Sequence, residues 1–259
     1  MNTKSNLQDV AFLIPLRVDS IERLENLLEV IKFINRFFDT NIHVLEATGY
    51  NNQLLSKLLP AYVTYTFIQD YDPVFYRTYY INQLLRSTNS TIVGVWDSDV
   101  LVAQHQIEEA VNLIRAKKAD FVLPYKDKFL DTTVIIKELY LKTQSIKMLK
   151  ENEMKMNELY GPDPVGGGFF AHRKTYLASG AENEFFYGWG REDGERVNRW
   201  NNLGYKLERV DGNMYHLTHK RGRNSRFHSW QEAAMKQEEL TRLAMMSSDE
   251  IKREIRNWK

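Results

Sequence analysis

The 259-residue sequence predicts an α/β protein with a mostly parallel central sheet flanked by helices, on three observations. Apolar runs of strand length alternate with stretches of helical periodicity. The runs are apolar throughout rather than on one face, which is how a strand reads when helices cover both sides of its sheet. With 43% hydrophobic residues the chain can bury one large core, so a single catalytic-sized domain is expected. This is a layout of nucleotide-binding type.

Taken in order, residues 10–15 read as a buried strand, after which Asp19 or Ser20 caps a helix with Ile21, Leu24, Leu28, Ile31 and Ile34 at helical spacing. Asp19 with Glu22 fits a capping box. Strands follow at 42–45 and 63–68, separated by a polar loop at 49–52, and Asp72-Pro73 marks a turn. A helix over 79–85 leads into the apolar strand 91–96, then a helix over 104–117 and a strand at 121–123. Residues 133–159 look helical and unusually polar, and 161–194 form a glycine- and aromatic-rich block. A short strand at 206–210 precedes a last histidine-bearing segment. Beyond Trp230 the chain is helical again, with Ser248 as a cap for 249–258. The expected division is a domain over 1–228 and a helical extension over 229–259, with Met245, Met246, Ile251, Ile255 and Trp258 packing on the body.

Composition excludes several functions. The 35 basic and 34 acidic residues leave a formal charge of +1, which argues against nucleic acid as a partner. The absence of cysteine removes disulfides, thiolate metal sites and cysteine nucleophiles together, leaving any metal to carboxylates and histidine. The N-terminus is polar, and its first apolar burst is broken by Pro15 and Arg17, well short of a signal-peptide core. No stretch approaches the roughly 20 apolar residues of a spanning helix. A cytoplasmic protein with no transmembrane segment is expected, with contact at the inner face of a membrane through the C-terminal helices as the alternative to their packing on the body.

Three blocks carry chemistry. Asp97-Ser98-Asp99 directly follows the strand 91–96, and ligands of open parallel sheets collect at strand carboxyl ends. Two carboxylates there can hold a divalent cation and, through it, a diphosphate; an Asp-rich turn capping the next helix would read the same way. The run 185–193 ends in Trp189-Gly190-Arg191-Glu192-Asp193. It can place a sugar face against Trp189 while Glu192 or Asp193 accepts a hydroxyl proton, or it is an aromatic core plug with two acids at a helix start. The segment 213–219 carries His216 and His219. A neutral imidazole could complete the coordination of a metal on Asp99 and tilt preference from Mg towards Mn, although a lone histidine is commonly a packing residue.

In this order the blocks resemble the metal-dependent sugar-nucleotide transferases of the GT-A fold, a Rossmann-like nucleotide-diphospho-sugar transferase fold, over roughly residues 10–226. The closest likeness is to the beta-1,4-galactosyltransferase family with its chondroitin-polymerase-like and bacterial galactosyltransferase-related members. The family's Pro-x-Arg element resembles Pro15-Leu16-Arg17, its Phe-x-Arg element Phe75-Tyr76-Arg77, and its Asp-x-Asp motif Asp97-Ser98-Asp99. The resemblance implies that Pro15, Arg17, Phe75, Arg77, Asp97 and Ser98 meet the nucleotide, with Glu46 at the acidic position that often meets uracil or ribose. Asp97, Asp99 and His216 would bind metal, with His219 as the alternative to His216. The Gly-Gly block resembles Gly166-Gly167-Gly168, so Gly167 and Gly168 would border donor and acceptor together with Trp189 and Gly190. The signature's general base falls on Asp193, while Glu192 would orient acceptor hydroxyls.

Two departures stand out. The family follows Glu-Asp with further acids where this chain has Gly194 and Glu195, and the spacing of Met214 to His216 differs from the family's Met and His. The basic segment Lys220, Arg221, Arg223 and Arg226 would stabilise departing UDP or contact an anionic acceptor, or serve only as a charged loop. What the resemblance implies is a metal-dependent hexosyltransferase, Mn preferred and Mg the alternative, that moves a hexose or N-acetylhexosamine from a UDP-sugar to a hydroxyl of a glycan or lipid-linked glycan with inversion. A non-catalytic sugar-nucleotide binding module and a nucleotidyltransferase using the same metal site remain as alternatives.

Overall fold

The computed structural model describes residues 3–258. Among these residues eleven strands and ten α-helices follow one another: β1 (Ser5–Leu16), α1 (Ile21–Phe37), β2 (Phe38–Thr48), α2 (Leu54–Leu58), β3 (Val63–Gln69), α3 (Arg77–Ser87), β4 (Ile92–Trp96), β5 (Val100–Leu101), α4 (Gln104–Arg115), β6 (Phe121–Leu123), β7 (Phe129–Asp131), α5 (Val134–Thr143), α6 (Ile146–Glu151), β8 (Asn157–Leu159), β9 (Gly168–His172), α7 (Arg173–Ala178), α8 (Glu192–Asn202), β10 (Leu207–Arg209), β11 (Met214–His216), α9 (Trp230–Ala244) and α10 (Ser248–Asn257). The seven-stranded sheet runs β10-β6-β9-β4-β1-β2-β3, and every pairing in it is parallel except the two made by β9. β5, β11, β7 and β8 form a separate four-stranded sheet.

The central strand β1 is buried from Val10 to Leu16, so its side chains feed a core on each face. Phe12 and Ile14 join Val44, Trp96 and Phe170 on one face, while Ala11 and Leu13 join Ile81, Val95 and Trp200 on the other. That two-sided burial is why the strand shows no polar alternation. Helix α1 starts at Ser20, whose side chain accepts the Arg23 N–H, whereas Asp19 instead pairs with the Arg23 side chain at 3.0 Å. The cap is therefore Ser20, and the box expected between Asp19 and Glu22 is not the one that forms.

The polar stretch 133–159 departs from a continuous helix. Gln144 adopts a left-handed conformation (φ 53°) and its N–H closes on Tyr140 O at 2.7 Å, which ends α5. Ser145 then caps α6 by accepting from Met148 N. Asn157–Leu159 is drawn into a strand by antiparallel pairing with β7. At the C-terminus, Ser247 rather than Ser248 is the cap, with Glu250 returning the bond to the Ser247 N–H. α9 and α10 pack on α8, and Ile251 is fully buried there. Met245 does not join it, being 83% exposed at the helix–helix turn. Among the described residues no helix is long and apolar enough to cross a membrane.

The topology brings distant segments together at one edge of the sheet. β9 runs antiparallel to β4 with Trp96 opposite Gly168, and the Asp97 N–H donates to Gly167 O at 2.9 Å. The glycine block therefore lies beside the first acid of Asp97-Ser98-Asp99. β5 pairs with β11, setting Val100 opposite His216.

Candidate active site

A cavity of about 610 Å³ opens where β1 and β4 end, lined by Pro15 and Arg17 from the first and Asp97, Ser98 and Asp99 from the second. Phe75, Arg77, Gly167, Trp189, Gly190, Glu192, Asp193, His216 and His219 are also in its wall. Segments over 200 residues apart in sequence thus converge on one space.

One corner is a ligand set. Asp99, His216 and His219 each offer a donor atom, and these lie within 4.8 Å of one another. His219 Nε2 is 3.2 Å and His216 Nε2 3.6 Å from Asp99 Oδ2. The other nitrogen of each ring is already engaged, His216 Nδ1 with Asp131 Oδ1 at 2.7 Å and His219 Nδ1 with Lys220 O at 2.9 Å. That leaves both Nε2 atoms directed at Asp99, the arrangement in which an outer carboxylate fixes ring orientation for a metal. One carboxylate oxygen and two imidazole nitrogens suit a borderline divalent cation such as Mn. Without a cation a protonated His216 pairs with Asp99. Burial works against a charged His216, but Asp99 and Asp131 outweigh it and raise the imidazole to about 9. Burial likewise opposes the Asp99 charge, and the two histidines overcome it, holding that carboxyl well below the usual range.

The second corner is a chain of permanent charges. Arg77 donates to Asp97 Oδ1 from Nη2 at 2.6 Å and from Nε at 3.2 Å, and its Nη1 lies 3.8 Å from Asp193 Oδ1. Arg196 donates to the same Asp193 oxygen from within α8. Asp97, expected as a metal ligand, is consequently turned to Arg77 and stands outside the ligand trio. Its pKa is raised, by burial first and then by Asp99 and Asp193, with Arg77 opposing. Glu192 is buried, its Oε2 has no hydrogen-bond partner, and burial together with Asp193 pushes it up to about 7 against the pull of Arg77. Glu192 thus lines the cavity with one oxygen that the protein leaves unpaired.

The remaining expected residues divide. Arg17 is spent on the wall itself, donating to Ala47 O, Asp72 O and Asp70 Oδ2 at 2.8, 2.6 and 2.7 Å while lying 5.7 Å from the Phe75 ring centroid. Trp189 faces the cavity with its ring edge-on to Phe227, and its carbonyl accepts Lys236 Nζ of α9 at 2.9 Å. The C-terminal extension therefore braces this loop. Gly190 sits at φ 101°, and a Cβ there would come 2.7 Å from Phe227. Gly167, at φ 81°, has Met214 Sδ 2.4 Å from where a Cβ would stand. Two of the expected residues stand outside the cavity lining. Glu46 is buried under β3, accepts the Tyr65 hydroxyl at 2.6 Å and does not line the cavity. Gly168 is inside β9 against Trp96, one residue too deep to reach it.

Three contributors escape the motifs. Asp131 is the outer partner of His216, Tyr160 lines the cavity from a left-handed turn (φ 65°), and Arg196 holds Asp193. Asp131 depends on the β7–β11 pairing, which opposes it to a histidine 85 positions away. Only the i,i+3 spacing of Asp193 and Arg196 was visible, as a signal shared by any surface helix.

Comparison with known proteins agrees with this geometry. Residues 154–220 match the family model described as the N-terminal domain of galactosyltransferase, a span that holds the glycine block, Trp189, both acids and both histidines. No curated protein sequence matches the chain. Among solved structures, the catalytic domain of Drosophila beta1,4galactosyltransferase 7 in complex with xylobiose aligns at TM-score 0.57 and 16% identity, over 88% of this chain and 79% of that one. Glucosyl-3-phosphoglycerate synthase from Mycobacterium tuberculosis, in complex with Mn2+, UDP and phosphoglyceric acid, aligns at 0.52 and 14%, over 90% and 76%. A mannosyltransferase from Pyrobaculum calidifontis with GDP-Man and Mn2+ aligns at 0.56 and 15%, over 92% and 64%. The protein has the GT-A glycosyltransferase fold. Within that fold, its residues 154–220 are galactosyltransferase-like in sequence.

Proposed function

We infer that the protein is a metal-dependent glycosyltransferase that moves a hexose or N-acetylhexosamine from a UDP-sugar to a hydroxyl of a glycan or lipid-linked glycan. One observation carries the reading: a carboxylate with a free oxygen, Asp193, shares a single cavity with a two-histidine, one-carboxylate ligand set. Asp99, His216 and His219 would hold the cation, which when bound offsets charge on a diphosphate. Pro15, Phe75 and Ser98 line the wall of the same cavity, where the nucleotide would lie. Trp189 offers an apolar face to a sugar ring, and the orphan Glu192 oxygen a partner for a hydroxyl.

Asp193 takes the proton of the attacking hydroxyl. As the new bond forms to the anomeric carbon, the bond from that carbon to the diphosphate oxygen breaks, and attack from the opposite face inverts the centre. The test is transfer from a panel of UDP-hexoses and UDP-N-acetylhexosamines with Mn, alongside calorimetric titration with UDP. Asp193→Asn should lower kcat by about 10²- to 10⁴-fold while Mn-dependent UDP binding stays at the wild-type level. Full activity in that variant removes Asp193 from the role. Tight UDP binding with no turnover on any donor identifies a binding module instead.

A further inference from the structure

Asp193 is the second residue of α8, a position where a carboxylate is drawn towards the unpaired N–H groups of the helix start. It does not turn that way. Its Oδ1 is taken by Arg196 Nη2 one helical turn later, with Arg77 Nη1 at 3.8 Å from the same oxygen. Arg196 is only 1% exposed, and its partners other than Asp193 are buried. Its Nη1 donates to Glu182 Oε1 at 2.9 Å, that oxygen also accepts the Tyr176 hydroxyl, and its guanidinium lies 4.6 Å from the Phe169 and 5.7 Å from the Trp200 ring centroids. Glu182 is itself 3% exposed, and its backbone N–H donates to Asn82 Oδ1 at 3.0 Å.

The free oxygen, Oδ2, points at Gly166, where a Cβ would stand 2.8 Å away. Gly166 is in turn held by the Tyr125 hydroxyl, which donates to its carbonyl at 2.8 Å. One oxygen of the carboxylate is thus bolted to the core and the other kept open beside the glycine block that lines the cavity.

We propose that Arg196 is the positioning residue of the reaction: braced by Glu182 and Tyr176, it holds Asp193 by Oδ1 so that Oδ2 alone receives the acceptor proton. The proposal rests on the reading of Asp193 as general base. It gives a buried ion pair a use beyond stability, since buried pairs of this kind are commonly no better for the fold than apolar replacements. A planar fork is the side chain that can bond two carboxylates in fixed directions at once.

The experiment compares wild type, Arg196→Met and Arg196→Met/Glu182→Gln in donor and acceptor KM, kcat, UDP affinity with Mn, and Tm. The single variant leaves Glu182 buried and unpaired and loses Tm; the double variant removes that charge and regains it. A positioning role predicts that kcat stays down by about 10- to 100-fold in the double variant, as for other orienting partners, with both KM values and UDP affinity at wild type. Should the single variant fail to fold, the double variant carries the test alone. Recovery of kcat together with Tm overturns the proposal, because Arg196 would then serve the fold only. Asp193→Asn separates the two readings: if it remains fully active the base assignment falls and this proposal with it, whereas an inactive Asp193→Asn beside a fully active, folded Arg196 variant refutes the positioning role alone.

Discussion

The two working corners of the cavity use the same chemistry, carboxylates beside nitrogen groups, and end in opposite states. Around Asp193 and Asp97 the partners are the guanidiniums of Arg77 and Arg196, which carry their charge at any working pH and have nothing to yield. Around Asp99 the partners are His216 and His219, and the buried His216 holds the carboxylate while protonated and presents its Nε2 as a lone pair once that proton leaves. A corner closed by arginine is a fixed charge; a corner closed by histidine can exchange a proton for a cation. The contrast explains why only one acid of Asp97-Ser98-Asp99 stands in the ligand set: Arg77 occupies the other.

The largest effect should come from breaking the exchangeable corner. Asp99→Ala removes its only carboxylate donor, and we expect Mn-dependent UDP binding and transfer to fall by about 10³-fold, the scale of several kcal/mol of lost charge stabilisation. Calorimetric titration with UDP, with and without Mn, reads it directly. Binding that keeps its Mn dependence in this variant would move the cation to Asp97 and collapse the distinction between the corners.

How far this was legible from sequence differs between the two halves of the molecule. β1 to β4 read correctly in type and order, β1 and β4 as continuous apolar runs and β3 despite Thr64 and Thr66; the end of β4 drew attention to Asp97-Ser98-Asp99, while Arg17 was reached through the family resemblance. The second half is held by pairings that leave no periodicity. β7 and β8 are three residues each, and Asn157-Glu158-Leu159, with a single apolar residue, has no pattern to distinguish it from the helical residues before it until β7 lies alongside. Asp131 therefore carried no signal. Arg196 carried a misleading one, since an arginine in a charged helix reads as solvated, yet this one faces Phe169 and Trp200. Glu46 shows the reverse case: the resemblance set it beside the nucleotide, and in the structure it accepts the hydroxyl of Tyr65 from the neighbouring strand.

A smaller effect sharpens the view of His216. Its pKa of about 9 without a cation means that the ring is protonated through the neutral range, so Mn must displace that proton. Apparent Mn affinity should climb up to about tenfold per pH unit as pH rises towards about 9, then level off. Stability of the metal-free protein should run the other way: this group contributes fully below its unfolded value near 6.5, and the contribution is lost as pH rises through about 9. Asp131→Asn removes the outer partner and should weaken Mn binding by about 10- to 100-fold above pH 9. The loss should shrink at lower pH, because Asp131 also helps hold the competing proton. A loss that is the same at every pH would show that Asp131 orients the ring without touching its charge.

The smallest effect concerns Glu192, the one acid in the permanent-charge corner without a partner for Oε2. Burial and Asp193 raise it to about 7 from 4.5. Below 4.5 the carboxyl is protonated whether folded or not and costs nothing. Between 4.5 and 7 the unfolded chain ionises first, so stability falls as pH rises, and above 7 the folded protein carries the full penalty of a buried charge. Glu192→Gln keeps the size and the polar atoms while removing that titration. Its Tm should equal wild type near pH 4.5 and exceed it at pH 8 by a few degrees, the shift that about 1 kcal/mol gives in a domain of this size. Differential scanning calorimetry at the two pH values makes the comparison. Equal Tm values at pH 8 would mean that Arg77 already neutralises Glu192, and that this corner holds no acid in reserve for an acceptor hydroxyl.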